Sequence, residues 1–150
     1  MNVDQVVYQE PRAPDTILLK GGSLMRFGTV MAIKAIVCLV FGFLLVVVPA
    51  ALLSFLGITV GPGGIFIARL YGASLFGNLM LSWYGRNVAE SNARQTIALD
   101  LFVYDAIGFV VALLAQLSGL MNPLGWFIVV VYLFFTLGFG YHLVVKPRAS

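Results

Sequence analysis

The sequence predicts an all-α, polytopic membrane protein, with four transmembrane helices in one bundle and both termini in the cytoplasm. Three observations lead there. Of 150 residues, 61% are hydrophobic and 10% are charged, against an apolar share of about 45–50% in water-soluble domains; the mean hydropathy is +1.00. Four stretches reach the roughly 20 apolar residues that a helix needs to cross about 30 Å of hydrocarbon. Lysines and arginines sit in ones and twos at the ends of those stretches, on alternate connections.

The elements follow in order. Residues 1 to 27 form a polar tail, with Asp4, Glu10, Arg12, Asp15, Lys20 and Arg26 ahead of any long apolar run, which is unlike a cleaved signal peptide. Broken by Pro11 and Pro14, the tail is either solvated or a docking segment. The first span covers about 29 to 56, with VCLVFGFLLVVVPAALLSFLG at its heart and Pro49 near its far end. GITVGPGG then reads as a turn, because glycine and proline give up helical hydrogen bonds. The second span covers about 65 to 83, the third about 96 to 117, and YGRNVAESNARQ between them is the one charged internal loop. After the short turn SGLMN, the fourth span covers about 123 to 145; Asn122 suits its cap and Pro123 its first turn. Residues 146 to 150 are a second polar tail. No segment has a polar stripe wide enough for a soluble bundle, and none alternates with the period of a β-barrel strand.

Orientation comes from the basic residues. Arg12, Lys20 and Arg26, then Arg86 and Arg94, then Lys146 and Arg148 all fall on one side if the chain crosses four times. The positive-inside rule makes that side the cytoplasm, and the expected location is the bacterial inner membrane. Trp83, Tyr84 and Tyr141 would lie at the inner interface and Trp126 at the outer one.

Several chemistries lack their residues. The formal charge of +3 is not gathered into a patch, so nucleic acid is not an expected partner. Cys38 is the single cysteine, which excludes an intrachain disulfide and a paired-cysteine metal site. One histidine cannot supply two axial haem ligands, and His142 has no second polar cluster for Ser/His/Asp catalysis. GPGG at 61 to 64 lacks the lysine and the strand of a phosphate loop. No cofactor, metal or catalytic residue is predicted; lipid contacts are.

Ionisable residues at membrane depth are costly and usually face protein or water, so they are the candidate site: Lys34, Arg69, Asp100, Asp105 and His142. At 1.5 Å rise per residue, Lys34 sits roughly 7 Å above the cytoplasmic edge, Asp100 about 6 Å, Asp105 about 13 Å and His142 within about 5 Å. At 100° per residue Asp105 shares a face with Gly108, Ala112 and Gln116, whereas Asp100 points away. Arg69 lies near Gly72 and Ala73, and Gly64, Ala68 and Gly72 recur every fourth residue. Small residues so spaced let helices approach closely in lipid. Gly64, Ala68, Gly72, Ala73, Gly77, Gly108 and Ala112 are thus expected packing positions, and Arg69 is expected inside the bundle. Depth pairs Lys34 with Asp105, and further with Asp100, while Arg69 either completes that network or snorkels to the outer surface. The plainer alternatives are that Lys34 snorkels, Asp100 complements a helix dipole, His142 lies among headgroups, and a buried pair only fixes helix register.

FGFLLVVVPAALLSFLGI (41 to 58), ARLYGASLFGNLMLSWYGR (68 to 86) and NPLGWFIVVVYLFFTLGFGYHL (122 to 143) resemble the pattern of small uncharacterised four-helix integral membrane proteins of bacteria. The likeness covers most of the chain after residue 27 and rests on glycine, proline and aromatic punctuation. It implies the same topology and brings no catalytic residue or substrate.

The function expected is that of a non-enzymatic accessory, assembly or scaffolding subunit of a larger membrane complex. Short loops, small-residue faces and the tail favour it. The alternative is an oligomeric transporter or ion or proton conductor using Asp105, Lys34 and Arg69. A membrane enzyme, or a haem or quinone carrier, ranks last. Partners are lipids together with other membrane subunits or further copies of the chain.

Overall fold

The computed structural model describes residues 26–144; the terminal tails, with Arg12, Lys20, Lys146 and Arg148, lie outside the described residues. The described residues are all-helical: α1 Phe27–Val47, α2 Pro49–Phe55, α3 Pro62–Gly85, α4 Ser91–Leu117 and α5 Gly125–Val144. Four of these, α1, α3, α4 and α5, are long and apolar enough to cross a membrane.

The stretch 29–56, expected as one span, is two helices. Pro49 has no N–H to donate and its ring crowds the preceding residue out of the helical region. Val48 accordingly sits at φ −129°, ψ 50°, and Pro49 opens α2 as its first residue. Across the break Val48 N–H still reaches Leu44 C=O at 2.9 Å and Val48 C=O accepts from Leu52 N–H at 3.2 Å. α4 begins five residues before the expected start, at Ser91 rather than 96. SNARQ carries no glycine or proline to stop a helix. α5 begins at Gly125, two residues late, because residues 122 to 124 form a turn in which Asn122 Oδ1 accepts from Leu124 N–H at 3.0 Å.

The helices form two hairpins. α1 packs along α3, α4 packs along α5, and the hairpins meet where α1 touches α5. α3 only grazes α4, and its backbone stays away from α5. Within the first hairpin glycine packs on glycine: a Cβ on Gly72 would stand 2.8 Å from Leu45 Cβ and 3.0 Å from Gly42 O. Close contact of backbones replaces the hydrophobic driving force that helices lack in lipid. Between hairpins, Phe27, Val30, Met31, Ala98, Leu101, Phe135 and Phe139 make one buried apolar cluster.

Polar contacts fasten both ends. At one end Asn122 joins the hairpins, its Nδ2 donating to Phe55 O at 2.8 Å and its N–H to Leu56 O at 2.9 Å. Gly57, at φ +82°, makes the turn opposite, where a Cβ would lie 3.0 Å from Asn122 Cβ; that left-handed conformation favours glycine. At the other end the Arg94 guanidinium stands 5.5 Å from the Phe27 ring centre and donates to Val88 O. The Phe27 ring meets His142 edge-on at 5.4 Å. The described basic residues of the loop and of the chain's start therefore gather at one end.

Candidate functional site

Lys34 lies about 10 Å along α1 from Phe27, at 1.5 Å per residue, and its side chain is 4% exposed. Asp105 of α4 is fully buried. Lys34 Nζ donates to Asp105 Oδ1 in an ion pair between the two hairpins. A buried charge is tolerated when it is paired and further solvated by dipoles. Here the rings of Phe135, Tyr104 and Tyr132 surround the ammonium at 4.7, 5.0 and 6.0 Å from their centres, a cation–π arrangement.

Three tyrosines close one side of this pair. Tyr104 of α4 donates to the hydroxyl of Tyr71 on α3 at 3.0 Å, and Tyr71 is hydrogen-bonded in turn to Tyr132 of α5. These side chains span the gap where the backbones of α3 and α5 do not approach each other. Gly108 makes the arrangement possible, because the Tyr132 ring lies where a Cβ on Gly108 would be.

Beside the polar cluster is a cavity of about 400 Å³. Lys34, Asp105 and the three tyrosines line one part of it; Phe41, Leu45, Leu52, Leu56, Val131 and Ile128 are among the residues lining the rest. Lys34 and Leu45 are about 16 Å apart along α1 at 1.5 Å per residue, so the cavity runs from mid-helix towards α2. The ion pair does not continue as a polar path to the basic end, because Val30, Met31, Leu101, Phe135 and Phe139, each at most 1% exposed, lie in the cluster beneath it. An apolar chamber with a few convergent polar groups has the form of a small-molecule site.

The structure brings together Lys34 and Asp105 and leaves the other expected site residues apart. Arg69 is exposed and makes no ion pair among the described residues, so its expected place inside the bundle is corrected. The reason is angular: Gly72 faces α1, and Arg69 lies about 60° from Gly72 and about 100° from Ala68 at 100° per residue. Asp100 is exposed too, about 140° from Asp105 on the same helix. His142 packs on Phe27 at the basic end.

The small residues divide in the same way. Gly72 meets α1, Gly64 and Ala68 line the cavity, and Gly108 and Ala112 lie on the partly buried face of α4. Ala73 and Gly77 do not pack against the described residues: both are exposed, and nothing among them lies within 4 Å of a Cβ on Gly77.

Sequence reasoning missed Tyr71, Tyr104 and Tyr132. A signal was present: tyrosine is enriched at membrane interfaces, yet each of these stands about 10 Å or more from either end of its helix at 1.5 Å per residue. A mid-span tyrosine needs a hydrogen-bond partner, and all three find it in each other. Comparison with protein-family models, curated proteins and solved structures finds no match to this chain.

Proposed function

We propose that this chain is a non-enzymatic integral membrane protein that holds a lipophilic molecule between its two hairpins. One observation carries the reading: a cavity of about 400 Å³, apolar along most of its wall and polar at one part, set between helices long enough to cross a membrane. The volume accommodates on the order of a dozen carbon-sized groups, at roughly 30 Å³ each, the share of a water molecule in the liquid. The gathering of Arg26, Arg86 and Arg94 near one end supports an even number of crossings, and with the positive-inside rule a bacterial inner-membrane protein with cytoplasmic termini. Conduction through a single chain is disfavoured by the apolar cluster beneath the ion pair.

The test is purification from native membranes in mild detergent, followed by solvent extraction and mass spectrometry. A lipophile other than bulk phospholipid, near one per chain, is expected with the natural protein and not with Ala68→Phe, which fills the cavity. Equal extracts from both proteins would count against the reading.

A second role, as an accessory, assembly or scaffolding subunit, is favoured by the outward face of α3. Ala73 and Gly77 stand four residues apart there, both exposed among the described residues, the spacing at which helices of separate chains associate. Loss of copurifying subunits on Gly77→Leu is the expected result, and an unchanged set of partners argues against it.

A further inference from the structure

The hydrogen-bond accounting at the polar part of the cavity is incomplete, and what is missing describes a headgroup. Asp105 Oδ1 accepts from Lys34, but Asp105 Oδ2, equally buried, has no donor among the described residues. The Lys34 ammonium has three N–H groups, of which one is directed at Asp105 and the rest face rings and the cavity. The tyrosine triad has three hydroxyl protons and two hydrogen bonds, so one more O–H is available. A buried acceptor without a donor is unfavourable, and Lys34, Asp105 and the three tyrosines are all residues of the cavity wall.

Chemistry narrows what completes the set. A carboxylate would place a second negative charge beside Asp105, and an ammonium a second positive charge beside Lys34; the pair as it stands is neutral, and a net charge in an apolar surround is expensive. A ketone, ester or ether accepts from Lys34 and leaves Asp105 Oδ2 bare. A hydroxyl both donates and accepts.

Building on the lipophile-holding role, we propose that the occupant is an uncharged long-chain or isoprenoid alcohol. A rotation of the Asp105 carboxylate turns Oδ2, buried in the free chain, to the cavity, where the occupant's O–H donates to it; the occupant's oxygen accepts from Lys34, and its hydrocarbon lies along Phe41, Leu45, Leu52 and Val131. Asp105 and Lys34 act as ligand-binding residues, and the tyrosine bridge is the wall beside the headgroup.

The experiment uses the full chain in detergent micelles and saturation binding of tritiated 1-tetradecanol. Competitors are 1-methoxytetradecane, tetradecanoate, tetradecylammonium and farnesol. Unlabelled tetradecanol or farnesol is expected to displace the label, and whichever is stronger says whether the straight or the branched chain fits. The ether, the acid and the amine are expected to be at least roughly tenfold weaker, the scale of one hydrogen bond to a charged group. In Lys34→Met/Asp105→Leu the alcohol and the ether should bind alike. An ether or acid matching the alcohol on the natural protein overturns the headgroup assignment and leaves the lipophile role standing, as does an alcohol preference that survives in the double variant. No saturable binding by any of the five compounds overturns both.

Discussion

Asp105→Leu is the perturbation that asks most of the ion pair. In the natural protein the Lys34 side chain is 4% exposed and Asp105 is fully buried, with Val30, Met31, Leu101, Phe135 and Phe139 packed below. Removing the carboxylate strands an ammonium among aromatic rings, and breaking a buried pair by one partner costs about 3–5 kcal/mol. Replacing both partners by apolar residues of similar volume is often neutral or stabilising. Lys34→Met/Asp105→Leu should therefore lie within about 1 kcal/mol of the natural protein, or above it, as apolar replacements of buried pairs commonly do. With each single variant losing about 3–5 kcal/mol and the double at most about 1, the thermodynamic cycle would give a coupling of about 5 kcal/mol or more between the two sites, above the range of about 0.5–3 kcal/mol usual for contacting residues. The assay is reversible unfolding in mixed micelles of mild detergent and dodecyl sulfate, followed by the fluorescence of Trp83 and Trp126. A single variant that loses less than about 1 kcal/mol, the range of a solvent-exposed pair, would show that Lys34 reaches water without Asp105. That would refute the sealed pair.

Four more variants test the packing. Gly72→Val should lose about 1–3 kcal/mol by overpacking, because a Cβ there stands 2.8 Å from Leu45 Cβ. Gly77→Val, with nothing within 4 Å, should stay within about 0.5 kcal/mol in the same micelles, as surface substitutions do; equal losses would contradict the hairpin geometry. Asn122→Ala removes the bonds to Phe55 O and from Leu124 N–H and should cost about 1–3 kcal/mol; its unfolding midpoint checks this. Tyr71→Phe deletes both hydrogen bonds of the tyrosine bridge, so tetradecanol should dissociate several-fold faster from the variant than from the natural protein. An unchanged dissociation rate would mean that the bridge does not wall the ligand in.

How much of this was legible in the sequence depends on the residue. The four long helices follow from apolar run length, which needs no tertiary information. Pro49 is visible as a letter, but whether a proline kinks a span or ends it depends on what the following turn packs against. The pairing of Lys34 with Asp105 emerges from depth and facing together: their heights differ by about 6 Å, within reach of a lysine side chain, and Asp105 lies on the face of Gly108 and Ala112 from which Asp100 points away. Arg69 shows the limit of that method. Its neighbours Gly72 and Ala73 both look like packing positions, yet only Gly72 faces α1, and choosing between faces 100° apart requires knowing where the partner helix lies. The cavity was illegible for the same reason: it is the space left where α3 stands off from α5, a property of two hairpins and of no single segment.

The most direct measurement is photolabelling with a tetradecanol carrying a diazirine at its chain end, added to the full chain in micelles, with peptides mapped by mass spectrometry. Labels should fall on the apolar lining near α2, at Leu52, Leu56 or Ile128, and should vanish when unlabelled tetradecanol is added in excess. Labels spread over outward residues such as Phe43, Val110 and Leu137, undiminished by competitor, would contradict a ligand held between the hairpins.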